Sequence, residues 1–215
     1  IIQSLTGFQY MTGFPEEQEV RCSSAIGDSF TGLNCSLGII MAYFRKLKTG
    51  EGARIDVSMF DCIFGTLEPH ILAKTVANKE NHRMGNADYF LFAPYDAYDC
   101  KDGWFSIAVR NNEEFDIFCK AIGREDLTHD KRFNNNKSRC ENADILKKEI
   151  LPFFAGKTRK ELEEIFTKQG IINAPLLTVP EFIEHPHAKA RNMMVWIDDP
   201  GIGKYLATAN PMHLS

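Results

Sequence analysis

Residues 29–48 form one long apolar segment (SFTGLNCSLGIIMAYFRKLK) in which Leu33, Leu37, Ile40, Met41 and Phe44 recur at helical spacing. Thr49-Gly50 closes it. The spacing predicts a helix of more than five turns, and any fold for this chain has to accommodate it. Directly before it stands Ala25-Ile26-Gly27-Asp28-Ser29-Phe30-Thr31-Gly32. Asp28 therefore falls at or just before the helix N-terminus, where backbone N–H groups lack intrahelical partners and carry partial positive charge. Such an end favours a carboxylate, and the flanking Gly27 and Gly32 leave room for a ligand to approach. Taken alone, the segment reads first as an aspartate N-cap.

The pattern around this helix is α/β. The Gly50-Glu51-Gly52 turn leads into a strand over 53–57, and Ser58 is suited to cap a helix over 59–78 that Pro69 kinks or divides. Residues 1–24 read as short turns around Gly7, Gly13 and Pro15. A polar and aromatic connector over 79–93 marks a boundary. Beyond it, 94–109 reads as a hairpin with its turn at Lys101-Asp102-Gly103. Helices follow over 112–122 and 138–154, the latter with Ile145, Leu146, Ile150 and Leu151 inward. The next is capped by Thr158 with Glu161 three residues on, and Leu162, Ile165 and Phe166 lie on one face of it. An extended piece over 171–177 and a helix over 179–184 complete a smaller α+β domain, 94–185. Residues 186–215 read as a polar return with turn signals at Pro200-Gly201-Ile202-Gly203.

Several function classes fall away. The formal net charge is −4 with both signs interspersed, so no basic face invites nucleic acid. No apolar run is long enough to span a bilayer. The cysteines at 22, 35, 62, 100, 119 and 140 show no metal-ligand spacing, and no histidine has a ligand partner at suitable spacing, so no metal site is expected. Free thiols suit a reducing, cytoplasmic compartment, with Cys35 and Cys62 as small buried hydrophobes. Neither G-x-S-x-G nor a strand-to-helix G-x-G-x-x-G occurs.

What remains is an ordered series of short motifs: Gln3 ahead of Gly7, Thr12-Gly13, Gly27-Asp28 with Gly32, Lys48-Thr49-Gly50-Glu51-Gly52 running to Asp56-Val57-Ser58-Met59, then Arg83-Met84-Gly85-Asn86, Ala93-Pro94-Tyr95, Lys101-Asp102-Gly103-Trp104, Asp130-Lys131-Arg132-Phe133 and Pro186-His187-Ala188. Each is weak alone; in this order they resemble the class III CoA-transferases over essentially the whole chain. The resemblance implies part of a Rossmann-like large domain over 1–93 holding the catalytic aspartate, the small domain over 94–185, and a return of 186–215 to the large domain. It also implies a parent about twice as long, of which this is the middle-to-C-terminal part.

For chemistry, the resemblance implies CoA transfer from an acyl-CoA donor to a small carboxylic acid through an aspartyl-CoA thioester on Asp28. No cofactor is permanently bound; the coenzyme A thioester is a substrate. Gln3, Gly27, Gly85 and Asn86 are the implied CoA-contacting positions, with Gln3 also readable as structural and the Arg83–Asn86 loop as an ordinary turn. Formyl-CoA transferases carry a longer glycine run near that loop, which this chain lacks. An interlocked homodimer is implied as well. Two rival readings are a 2-methylacyl-CoA racemase using the same aspartate as general base, and an incomplete, inactive fragment that exposes apolar surface.

Overall fold

The computed structural model describes residues 1–214 of the chain, in two compact units, Ile1–Asp96 and Ala97–Ser215. Helices and strands together give an α/β chain.

The first unit is built from α1 (Ile2–Leu5), α2 (Ile26–Thr49), α3 (Met59–Gly65) and α4 (Glu68–Thr75). The long helix forms as its spacing predicts and ends on Gly50 in the left-handed region, φ 78°. Its apolar stripe lies outward. Leu33, Leu37, Ile40, Met41 and Phe44 are 56–64% exposed. The half-buried side holds Thr31, Asn34, Cys35, Gly38 and Ala42, and only Gly27 is fully buried. Small residues let the helix approach the extended segment 51–58, where a Cβ on Gly38 would lie 3.1 Å from the Ile55 side chain.

That segment differs from the expectation. Residues 53–57 are extended but lie in no sheet, because no strand among the described residues lies alongside them to accept their backbone bonds. Cys35 and Cys62 are half-buried rather than buried. Ser58 caps α3 by accepting the Asp61 N–H at 3.0 Å, and Pro69 divides the following helical stretch by sitting in the first turn of α4.

A hairpin follows, β1 (Tyr95–Cys100), whose first two residues end the first unit, and β2 (Gly103–Ala108). The elements α5 (Asn112–Ala121), α6 (Asp126–His129), α7 (Asn136–Glu141), α8 (Ala143–Ala155) and α9 (Arg159–Lys168) follow, then β3 (Ile172–Pro175). The sheet order is β1-β2-β3, and β3 pairs antiparallel with β2, Ser106 opposite Ala174. Inward residues of the strands meet the amphipathic faces of α5, α8 and α9 in an aromatic core: Phe166 lies 5.7 Å from Phe154, 5.8 Å from Phe118 and 6.1 Å from Phe105.

The stretch expected as one helix over 138–154 is two, parted at Asn142. Ile145 is 40% exposed while Leu146 and Ile150 are buried. Thr158 and Glu161 form the expected capping box. Thr178 and Glu181 form another at α10 (Val179–Glu184), which is followed by α11 (Pro186–Ala190). The expected polar return folds instead into a hairpin, β4 (Met194–Asp199) and β5 (Gly203–Thr208), with Trp196 opposite Leu206. Its turn falls at Pro200-Gly201, where the turn signals stand.

Candidate active site

The site grows from the first turn of α2. Ala25 is the N-cap residue and offers no side-chain hydrogen bond; Asp28 is the third helical residue, not the cap. The Ser29 N–H is the first to find a helical acceptor, Ala25 O at 3.0 Å. The N–H groups of Ile26, Gly27 and Asp28 therefore lie ahead of the helical ladder, and they add their partial positive charge where the Asp28 carboxylate stands. Asp28 is exposed, and its side chain makes no hydrogen bond or ion pair with another described residue.

Gly27 explains how this turn is held. A Cβ there would meet the Ile2 Cγ2 and the Met59 Sδ, each at 3.3 Å, so the glycine lets α2 start directly against α1 and α3. Gln3 fixes the chain just before it: the Cys22 N–H donates to Gln3 Oε1 at 2.9 Å, and Gln3 Nε2 donates to Cys22 O at 3.3 Å. Gln3 therefore performs structural work with its amide while its residue also lines the site.

Asp28 opens onto a cleft of about 520 Å³ lined in part by Gln3, Gln9, Arg21, Ser23 and Ser24. Gly27 lines it as well. Three of the expected site positions, Gln3, Gly27 and Asp28, thus come together, whereas Gly85 and Asn86 are not among its lining residues. Arg21, Ser23 and Ser24 were not singled out in the sequence. Their only signal was a lone arginine closing the acidic stretch of Glu16, Glu17 and Glu19.

Gly85 belongs to a neighbouring contact. Its N–H donates to Gly13 O at 3.0 Å, its φ is 64°, and a Cβ on it would fall 2.6 Å from the Phe14 ring. Arg83 gathers the rest of that loop. Its guanidinium donates to Phe14 O (3.2 Å), Tyr10 O (3.4 Å), Pro15 O (3.2 Å) and Glu17 O (3.0 Å), and pairs with Glu19 Oε1 at 2.7 Å. Backbone hydrogen bonding at Glu19 itself, and then the Arg83 charge, hold the Glu19 carboxyl below its ordinary value. Arg83 thus binds residues 10–19, the loop that leads into Arg21 and the cleft.

Among the described residues no three His, Cys, Asp or Glu side chains converge to hold a metal ion, and no helix is long and apolar enough to cross a membrane.

The sequence model of the family described as CoA-transferase family III matches residues 1–215. An acetyl-CoA:oxalate CoA-transferase of Acetobacter aceti is 31% identical over 216 residues, covering 100% of this chain and 54% of the relative. A succinyl-CoA:mesaconate CoA-transferase of Haloarcula hispanica is 27% identical over 209 residues, covering 97% of this chain and 52% of the relative. Among solved structures, a CAIB/BAIF family protein from Brucella suis superimposes with a TM-score of 0.81 at 31% identity, over 100% of this chain and 55% of its own. The chain spans about half the length of the curated relatives it matches.

Proposed function

This chain belongs to CoA-transferase family III, and on that premise we propose that the complete polypeptide carrying it moves CoA from an acyl-CoA donor to a carboxylic acid, with Asp28 as acyl acceptor. The observation that carries this reading is the position of Asp28: third in the first turn of α2, exposed to a cleft, and without a protein partner to occupy its oxygens.

The reaction then runs by acyl exchange alone. An Asp28 oxygen attacks the thioester carbonyl, the C–S bond breaks, and CoA thiolate leaves a mixed anhydride. The thiolate attacks the Asp28 carbonyl of that anhydride, expelling the donor acid as carboxylate and leaving an aspartyl-CoA thioester. The acceptor carboxylate attacks this thioester and again displaces CoA thiolate. The thiolate then attacks the acceptor carbonyl of the second anhydride, and Asp28 leaves as the free carboxylate. Four acyl transfers of modest difficulty replace one direct exchange, and each tetrahedral intermediate needs an N–H donor for its oxyanion. The amides of the first turn of α2 are suited to that task.

Gln3, Gly27, Gly85 and Asn86 remain the positions proposed to meet CoA. The acids named in the two relatives, oxalate and mesaconate, are dicarboxylic, and we extend that class to the substrates of this protein. A homodimer in the cytoplasm completes the proposal. The apolar stripe of α2 calls for a cover, so the proposal concerns the complete polypeptide and not residues 1–215 alone.

The test is chemical trapping. The complete polypeptide is incubated with an acyl-CoA panel and hydroxylamine, and the modified residue is located by mass spectrometry. A hydroxamate at Asp28, absent from Asp28→Asn, is expected. Deuterium exchange at the acyl α-carbon with no adduct would overturn transfer and make Asp28 a general base.

A further inference from the structure

Two charged side chains line the cleft at the start of α2, and they are of opposite sign: Asp28 and Arg21. No ion pair joins them, although both open into the same space of about 520 Å³. In the second unit Arg110 pairs with Glu114, Arg124 with Asp126 and Glu149, Arg132 with Asp130 and Arg159 with Glu181; Arg54 and Arg191, like Arg21, pair with no carboxylate among the described residues, but neither lines this cleft. In the first unit, Arg45 pairs with Glu51 and Arg83 with Glu19. Arg21 stands two residues after the last of Glu16, Glu17 and Glu19, yet none of them takes its guanidinium: Glu19 turns to Arg83 instead. The Ser23 and Ser24 hydroxyls stand on the same cleft and make no bond to other described residues.

We infer that Arg21 is a specificity-determining residue that receives the second, non-reacting carboxylate of a dicarboxylic acid while the first carboxyl, as acid or thioester, meets Asp28. The inference rests on the reading of Asp28 given above. Its physical basis is complementarity of the two ends. A substrate carrying one electrophilic carbonyl and one carboxylate must place the carbonyl against the Asp28 anion and the carboxylate away from it. A planar guanidinium takes a carboxylate through two parallel N–H bonds, which fixes orientation as well as position. Ser23 and Ser24 add hydroxyl donors beside it. A monocarboxylic acid of the same length leaves Arg21 without that partner. The preference is therefore a difference of affinities created at one residue.

The chemistry Arg21 recognises, an anionic oxygen group, is also found on the phosphates of CoA, and the experiment separates the two. Binding of succinate, of butyrate and of CoA to the complete polypeptide is measured by titration calorimetry for wild type, Arg21→Ala and Arg21→Lys. The ratio of kcat/KM for succinate over butyrate as acceptor is measured in parallel. Arg21 is exposed and unpaired, so thermal melts of the variants are expected to match wild type. The wild type is expected to prefer succinate. Arg21→Ala should lower that preference by about 10- to 100-fold, the loss of a charge-assisted bond pair. Arg21→Lys, which keeps the charge without the fork, should restore only part of it.

A preference that survives in Arg21→Ala, or a wild type with none, overturns the inference. So does a loss of CoA affinity in Arg21→Ala with the acid preference intact, since that result assigns the residue to a phosphate. Absence of any hydroxamate or transfer would remove the role of Asp28. If succinate preference still depended on Arg21 in the binding measurement, the dicarboxylate assignment would stand without it.

Discussion

Replacing Arg83 by methionine removes the guanidinium while keeping most of the side chain's length, and the structure sets the expected cost. The Arg83 side chain is 13% exposed and donates to four backbone carbonyls between Tyr10 and Glu17 at 3.0–3.4 Å. A net intramolecular hydrogen bond contributes about 0.5–1.5 kcal/mol. These acceptors lie on exposed residues and can be rehydrated, so the lower figure applies to each, and four together come to about 2 kcal/mol. The Glu19 carboxylate stays in water and adds nothing to that sum.

The loss is local, because the clamp holds residues 10–19 to the loop at 83–85 and little else. Hydrogen exchange read at single amides is therefore the suitable assay. The Glu17, Val20 and Gly85 N–H groups donate to Phe14 O, Thr12 O and Gly13 O, respectively, and report on the clamped loop. Their protection is expected to fall by about 30-fold, the equivalent of 2 kcal/mol. Amides in the aromatic core of the second unit should not change. Arg83→Lys is expected to recover less than half, since a single ammonium cannot reach four carbonyls. If protection of those three amides changes by less than about twofold in Arg83→Met, too small to match even one lost bond, the guanidinium is not what holds the loop.

Gly85→Ala is expected to lower stability in urea unfolding, since left-handed backbone costs a non-glycine residue about 1–2 kcal/mol and the new methyl would sit 2.6 Å from the Phe14 ring. Adding Phe14→Ala should relieve the clash and leave the backbone cost; full recovery in the double variant would refute the strain argument. Glu181 titrates at about 2, held down first by hydrogen bonding to Arg159 and then by the Thr178 backbone and hydroxyl. A depressed carboxyl pKa contributes stability that is present above the ordinary value and is lost as pH falls toward 2. An NMR titration should therefore show the Glu181 midpoint well below that of a free glutamate, and Arg159→Gln should move it upward. An unmoved midpoint would show that Thr178 alone sets it.

Local rules carried the sequence reading furthest where they act alone. Ser58, Thr158 and the glycine stop at 50 mark helix ends by side-chain or backbone chemistry confined to a few residues, and the structure has all of them. The α9 face of Leu162 and Phe166 is buried as its spacing indicates. The reading failed where the answer depends on what lies alongside. Periodicity identified the apolar face of α2 but not which face meets the rest of its unit. Residues 53–57 have strand composition and no neighbouring strand. The β4–β5 hairpin was hidden because Val195, Trp196 and Ile197 run on without alternation and sit beside a polar turn.

The same limit applies to the site. Asp28 was legible from the glycine before it and the helix after it. Arg21 was not, because only folding brings residue 21 to the cleft and leaves it without a carboxylate.

The gradient of burial along α2 has a mechanical meaning. Gly27 is fully enclosed, Thr31, Asn34, Cys35, Gly38 and Ala42 are half-covered, and residues 43–50 are all exposed. At 1.5 Å per residue the helix extends about 36 Å. It behaves as a cantilever, fixed at the end that carries Asp28 and free at the other. A displacement of the far end, by whatever covers or uncovers Leu37 to Leu47, turns about the first helical turn and moves the carboxylate least of all. Asp28 thus stands near the end of its helix that is best insulated from traffic along the apolar stripe.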